Sequence, residues 1–411
     1  MSLARCPVCS TAERQTLLAV EAFPVHPMRL PHEADAAADC QPLEIVACGG
    51  CGHAYNARFD RALVSRLYTT AVATNAPVSR GMVQAVEETA RRILDRAGKR
   101  PRILEIGGGA GALARSLATE AAVVHLLEPS RSISAEQLAG TNVVRHQGLF
   151  PSPALDDMRF DAVVLRQVLE HVVEPAPFLA ALRRLLDDDG VAYVEVPSGE
   201  YIAEWASVVD FHYPHVQYYR RPQIEALFAR AGLAVAETVE VKEGHDIGFI
   251  LRGAQPAPAA PPGATAMPAG LGARLSAHRA RGEARLGALG ARVALYGANA
   301  YSQALLGLYP DAGNLVAMFD DTPGYAGRDA YGRSTVLAIR QPSAALLRDV
   351  DAVVITAYLH DLTIARKLAG LGFTGPVLSV RADRAAGRDG RSPSLFRDRA
   401  QSTPSSPAAG L

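Results

Sequence analysis

Residues 102–111 read Arg-Ile-Leu-Glu-Ile-Gly-Gly-Gly-Ala-Gly, an apolar run with one acid inside it, Glu105, that ends in a cluster of glycines. A short apolar run bounded by glycine predicts a buried strand that turns sharply into a helix. Gly107, Gly109 and Gly111 carry no Cβ, so a nucleoside cofactor could approach the backbone of that turn closely. A glycine-rich turn of this kind also serves dinucleotide sites and decides little alone. Two acids add to it. Glu105 lies within the strand, and Glu128 closes the next apolar run, Val-Val-His-Leu-Leu-Glu over residues 123–128. A carboxylate at that strand end can accept both ribose hydroxyls.

Working outward, FDAVVLRQV (160–168) and VAYVEVP (191–197) read as further buried strands, with the helical stretch APFLAALRRLL (176–186) between them. Upstream, Met82, Val86, Ala90, Ile93 and Leu94 recur at helical spacing, with Ser79 as N-cap and Gly98 as stop. Alternating strands and helices predict a doubly wound α/β domain over residues 61–253. Residues 254–270, AQPAPAAPPGATAMPAG, carry five prolines and few large apolar groups, and read as a linker. RVALYGANA, NLVAMFDD, DAVVITAY and GPVLSV then predict a second, Rossmann-like α/β domain over 271–381. Its Tyr296-Gly297-Ala298-Asn299 turn has a single glycine and lacks the full dinucleotide fingerprint, although Asp320 and Asp321 suit ribose contact. The tail 382–411 is polar, rich in Pro and Ser, and expected to be disordered.

The chain has 411 residues, enough for two or three domains, with 42 Lys plus Arg against 42 Asp plus Glu. Zero net charge argues against a nucleic-acid partner, whose phosphates call for clustered Lys and Arg. No apolar run is long enough to span a bilayer, and MSLARCPVCS lacks the apolar region of a signal peptide, so a cytoplasmic protein with no membrane partner is expected. Four of its five cysteines form two Cys-x-x-Cys pairs, Cys6 with Cys9 and Cys48 with Cys51. Two such knuckles can bring four thiolates onto one Zn²⁺; four thiolates fill its coordination sphere, so the expected metal is structural and organises a module over residues 1–60. Cys40 reads as a small buried hydrophobe, and His53 as the alternative ligand.

The segment Phe211–Tyr219 holds His212, Tyr213, His215 and Tyr218 just beyond a strand end, where doubly wound folds place substrate. Histidine moves protons near neutrality and tyrosine can hold a developing oxyanion. An aromatic loop packed over the sheet would have the same composition. Tyr68 could reach substrate or cap a helix end, and His245-Asp246 could be a second acid/base pair or a local hydrogen bond.

The glycine turn, Glu128 and VLRQVLEH together resemble the class I S-adenosylmethionine-dependent methyltransferases. That resemblance implies that Gly107, Gly109, Gly111 and Glu105 cradle the methionine part of S-adenosylmethionine and that Glu128 holds its ribose. It also puts Gln147 beside the adenine and Gln167 in the cofactor pocket. The order of parts, cysteine module, methyltransferase core and second Rossmann-like domain, resembles the sugar C-methyltransferases of deoxysugar biosynthesis. Implied are a small-molecule acceptor that is a nucleotide-linked keto-sugar, methylation of the carbon beside its carbonyl, and His215 as base. A monomer or homodimer is expected. The family loop reads close to Tyr-His-Glu-His, whereas this chain has His212, Tyr213, Pro214 and His215; the family Asn-x-x-Ala-His is Gln167 to His171 here. Proline can take no proton, which favours an alternative acceptor, a hydroxyl or amine of another small metabolite. A third reading, a scaffold without catalysis, fits poorly with an intact glycine turn and both acids.

Overall fold

The apolar runs become strands. In the computed structural model the described residues are 3–28, 40–70, 77, 80–134, 136–256, 267–381 and 392–396. Ser79, read as an N-cap, lies outside them, as do 257–266 of the expected linker and 382–391 and 397–411 of the expected tail. In chain order come β1 (Arg14–Pro24), β2 (Cys40–Cys48), β3 (Ala54–Asn56), β4 (Arg102–Ile106), β5 (Val123–Glu128), β6 (Val143–Gln147), β7 (Phe160–Arg166) and β8 (Leu186–Pro197). After them follow β9 (Gln217–Tyr218), β10 (Leu233–Val241), β11 (Asp246–Gly253), β12 (Val293–Tyr296), β13 (Leu315–Phe319), β14 (Asp329–Tyr331), β15 (Val336–Arg340), β16 (Ala352–Ile355) and β17 (Val377–Ser379).

The chain folds into two compact units. The first holds a seven-stranded sheet in the order β10-β11-β8-β7-β4-β5-β6. β8, β7, β4, β5 and β6 are parallel, and β11 enters antiparallel between β8 and β10. Ile103, Leu104, Val163, Val164 and Val194 are fully buried, as central parallel strands covered on both faces require. The helix Arg80–Ala97 lays Ala90 and Ile93, with Val86 and Leu94 beside them, onto this core, the face its spacing predicts. Strand order reverses at β4, which pairs with β5 on one side and β7 on the other, so the loop after β4 opens at the switch point where doubly wound sheets bind ligands.

The first unit also contains the cysteine knuckles. Its residues are 1–15, 47–200 and 215–267. β3 pairs antiparallel with β9, Ala54 opposite Tyr218 and Tyr55 opposite Gln217. Gln223 Nε2 donates to the Cys51 carbonyl at 2.6 Å, Arg230 to the Val8 carbonyl at 2.7 Å, and His53 Nε2 lies 2.7 Å from Gln217 Oε1. His53 is thus turned to Gln217 and not to the sulfurs. Cys40 is buried.

The second unit has a six-stranded sheet, β14-β15-β13-β12-β16-β17, parallel except for the antiparallel edge β14. Its residues are not contiguous: 16–46, 201–214 and 268–411. The β1–β2 hairpin, expected in a 1–60 module, belongs here. Gln303 Nε2 donates to the Pro24 carbonyl at 2.6 Å, and the Tyr331 hydroxyl accepts from His26 N at 3.2 Å. Hairpin residues such as Phe23 and Val25 are buried, and a strand pattern alone does not say which core buries them.

The expectation of a disordered tail is corrected for residues 392–396. Ser394 bridges to Ser379, Leu395 and Phe396 are fully buried, and the Arg285 guanidinium donates to the Ser394 carbonyl at 3.0 Å. The Phe396 ring stacks on His278 at 4.3 Å. It sits where a side chain on Gly282, within the helix Leu271–Ala288, would clash. Two apolar residues anchor a stretch whose polar composition predicts no packing.

Candidate functional site

The turn after β4 is built by glycine for steric reasons. Gly107, Gly109 and Gly111 have φ of 74°, 55° and 70°, values that favour glycine. A Cβ on Gly107 would come 2.6 Å from Val168 Cγ2. Gly111 caps the helix Ala112–Leu117. Glu128, at the end of β5, reaches across to this turn: Oε2 accepts from Gly109 N at 2.7 Å and Oε1 from Ser130 N at 2.9 Å. Gln147 pairs with Glu128 in the β5–β6 register and is exposed. The four predicted cofactor positions Gly107, Gly109, Gly111 and Glu128 therefore meet at one strand edge, with Gln147 alongside.

Glu105 sits beneath the turn, 4% exposed, and its Oε2 has no hydrogen-bond partner. Burial, reinforced by the charge of Glu128 and opposed by Arg166, pushes its carboxyl up to about 7. Arg166 is already engaged bidentately by Glu195 at 3.2 and 3.3 Å, which limits its help. The fold thus prefers Glu105 protonated. Between the ordinary value of 4.5 and about 7 the folded protein keeps a proton that the unfolded chain has released. Its contribution is full below pH 4.5 and lost as pH rises through about 7, a change of about 3 kcal/mol. Urea unfolding at pH 5 and pH 8 measures this: the gap between Glu105→Gln and the parent should widen in favour of the variant at pH 8. Parallel profiles would contradict it.

Gln167 follows β7 in a left-handed conformation, φ 55°, that glycine would adopt more easily. Its amide N donates to the Glu195 carbonyl at 2.9 Å and its Nε2 to Asp246 Oδ2 at 3.0 Å. Asp246 is buried, an ion pair of Lys242, with His245 Nδ1 at 2.7 Å. Burial opposes its ionisation, but Lys242 and His245 hold its carboxyl well below the usual range. His245-Asp246 is therefore a local hydrogen bond that also fastens Gln167.

The predicted catalytic segment divides between the units. His215 and Tyr218 belong to the first, with ring centroids 6.3 Å apart; His212 and Tyr213 belong to the second, where both are buried. The His212 ring meets Tyr301 edge-on at 5.5 Å, and the Tyr301 hydroxyl donates to Asp210 Oδ1 at 3.1 Å. In the first unit His215 lies edge-on to His171 at 4.7 Å. His171 Nδ1 is 2.6 Å from the Tyr68 hydroxyl. Burial, with the charges of Glu170 and Glu128, raises the Tyr68 phenol well above its ordinary value and keeps it a hydrogen-bond donor. Glu170, at the start of the same short turn as His171, is buried and its carbonyl accepts from Val216 N at 2.8 Å. Burial, with the charge of Asp246 adding, pushes its carboxyl well up. The family resemblance puts Glu170 only as one of the run Gln167 to His171 along the cofactor pocket; its burial singles it out.

The four cysteines converge. Cys6 and Cys51 sulfurs are 3.7 Å apart, Cys9 and Cys48 sulfurs 3.4 Å, and all four lie within 4.8 Å of one another. A tetrahedron with metal–sulfur bonds of about 2.3 Å has edges of about 3.8 Å. Val8 N and Gly50 N point at Cys6 and Cys48 sulfurs at 3.4 and 3.3 Å. The hydrogen bond from Cys51 holds the Cys6 thiol down to about 4, against burial, while burial pushes Cys48 up to about 11. A cation among these sulfurs would favour ionisation of the thiols that burial pushes up, Cys48 among them. Among the described residues no helix is long and apolar enough to cross a membrane.

Residues 80–238 match the family model described as a methyltransferase domain. Among curated proteins, the ubiquinone biosynthesis O-methyltransferase of Pasteurella multocida (strain Pm70) is 25% identical, over 26% of this chain and 50% of that relative. The chain thus spans half the length of the curated relative it matches. Among solved structures, an S-adenosylmethionine-dependent methyltransferase from Clostridium acetobutylicum ATCC 824 is similar with TM-score 0.35 and 11% identity, over 42% of this chain and 92% of the other. Magnesium protoporphyrin IX methyltransferase from Synechocystis PCC 6803 gives TM-score 0.36 and 15% identity, over 47% of this chain and all of that one (100%). The chain carries a methyltransferase domain in residues 80–238.

Proposed function

We propose that the whole chain transfers the methyl group of S-adenosylmethionine to a small-molecule acceptor activated at His215. The observation that supports this most is the meeting of the glycine turn, Glu128 and Gln147 at the switch point of the first unit, with Tyr68, His171 and His215 forming a proton-handling cluster in the same unit. The cofactor supplies an activated methyl on sulfur. Gly107, Gly109, Gly111 and Glu105 cradle its methionine part, Glu128 accepts from its ribose, and Gln147 and Gln167 flank the pocket. The Tyr68 hydroxyl fixes the His171 ring, and His171 packs edge-on against His215, which orients the imidazole that takes the acceptor's proton. Methyl transfer forms the new bond to the acceptor and breaks the sulfur–methyl bond, leaving S-adenosylhomocysteine.

The acceptor we infer is a nucleotide-linked keto-sugar methylated on the carbon beside its carbonyl, with Tyr218 of the same unit beside it. Its support is the resemblance in the order of parts. Cys6, Cys9, Cys48 and Cys51 hold a structural Zn²⁺ in this reading. A second reading, methylation of a hydroxyl on another small metabolite, is favoured by Pro214, which leaves the loop one proton-accepting group short of the sugar enzymes, and by similarity to an O-methyltransferase.

Calorimetric titration with S-adenosylhomocysteine, then with nucleoside diphosphates in its presence, tests both. Binding of the cofactor product with a Kd weakened at least about tenfold in Glu128→Ala is expected, because a ribose hydrogen bond to a charged acceptor is worth roughly 1.5–3 kcal/mol. No binding by the parent protein would overturn the reading. Binding of the cofactor product without any nucleoside diphosphate would favour the hydroxyl acceptor.

A further inference from the structure

Glu170 has a place in the site but no task in the chemistry above. It is 1% exposed, and neither of its carboxylate oxygens has a hydrogen-bond partner. Buried carboxyls are normally satisfied by a partner, a water or an ion. His171 Nε2 lies 4.0 Å from Glu170 Oε1, beyond hydrogen-bonding range. The other nitrogen of His171 is already taken up with the Tyr68 hydroxyl. One ligand atom from each of Glu170, His171 and His215 lies within 4.8 Å of the other two. A cation with bonds of about 2.1 Å holds its ligand atoms about 3–4 Å apart. The gap is therefore too wide for a hydrogen bond and the right size for a shared ion.

We propose that Glu170, His171 through Nε2, and His215 form a second metal site, for a divalent cation that prefers nitrogen and oxygen ligands. Two imidazoles and one carboxylate suit Mn²⁺ or Fe²⁺, whereas the four-thiolate set selects Zn²⁺. Three protein ligands leave coordination positions open to water or an acceptor oxygen. Tyr68 plays the part that an outer partner plays for a ligating histidine, fixing the ring and its tautomer. The bearing of the site on catalysis rests on the methyl-transfer reading: His215 takes the acceptor's proton in the metal-free site, and a cation bound there would occupy the same imidazole and suppress turnover. Its existence does not rest on that reading.

The test is titration of the full-length protein with MnCl₂, following free Mn²⁺ by electron paramagnetic resonance with the thiolate set left loaded. One Mn²⁺ per chain is expected to bind. Glu170→Gln should weaken binding by about 100-fold and Tyr68→Phe by about tenfold, the span over which metal sites respond to changes in and around their ligands. S-adenosylhomocysteine binding by both variants checks that they are folded; should Glu170→Gln fail that check, Tyr68→Phe carries the comparison. If the parent protein binds Mn²⁺ no better than a folded Glu170→Gln or Tyr68→Phe, the proposal is overturned. Loss of cofactor-product binding in the parent with Mn²⁺ binding intact would count against the methyl-transfer reading alone.

Discussion

Replacing His215 by alanine is expected to lower turnover by about 10²–10⁴-fold, the usual contribution of a positioned proton-transfer group. S-adenosylhomocysteine should bind the variant as it binds the parent. The proposed cofactor half of the site comprises Gly107–Gly111 and Glu128, whose carboxylate accepts from Gly109 N and Ser130 N and not from the histidine cluster. Steady-state rates with saturating acceptor, beside calorimetry with the cofactor product, separate the two halves. A variant that keeps more than a tenth of the parent rate would remove His215 from acceptor activation. Loss of cofactor binding would mean that the residue holds the domain together instead.

Removing the metal proposed for the four thiolates is expected to have the largest effect on folding. A structural zinc contributes on the order of 10 kcal/mol to a small module, more than the few short strands around the knuckles could replace. Cys48→Ser should abolish the sulfur-to-metal charge-transfer band of the cobalt-substituted protein and expose residues 1–15 and 47–60 to proteolysis. The Gln223 and Arg230 hydrogen bonds to Cys51 and Val8 carbonyls then lose their partners' fixed positions, so the helix Arg221–Arg230 should loosen as well. The seven-stranded core has its own buried strands and is expected to survive. A variant that retains the band would show that the four sulfurs do not share one metal.

Much of the first unit could be read from residues 102–128, because the chemistry there is local: a strand, a turn that only glycine makes easily, and an acid one strand over. The same holds for the knuckles, where spacing within each Cys-x-x-Cys pair already dictates how sulfurs present themselves. What stayed hidden depends on partners far away in sequence. Nothing in Arg14–Pro24 says that its apolar face is buried beside Gln303 and Tyr331 instead of beside the cysteines. The family resemblance makes Gln167 a pocket residue; its left-handed backbone and its bond to Asp246 follow from the β8–β11 pairing, which brings Asp246 opposite Pro197. Glu170 is one of the run that the resemblance lays along the cofactor pocket, and only its burial without a hydrogen-bond partner singles it out. Leu395 and Phe396 were lost in a stretch whose bulk composition favours solvent.

The interleaving of the two units bears on how the protein is made. Residues 16–28 and 40–46 leave the ribosome before the methyltransferase core, yet the sheet of their own unit is complete only after β17 and the segment 392–396 have emerged. The nascent chain must carry them unfinished through synthesis of the entire methyltransferase core, with apolar residues such as Phe23 and Val25 awaiting burial. Domains generally fold as units during synthesis; here the core can do so and the second unit cannot. Stop codons after residue 253 would therefore strand residues 16–46 and 201–214 for good, and release a chain that chaperones recognise rather than a smaller enzyme.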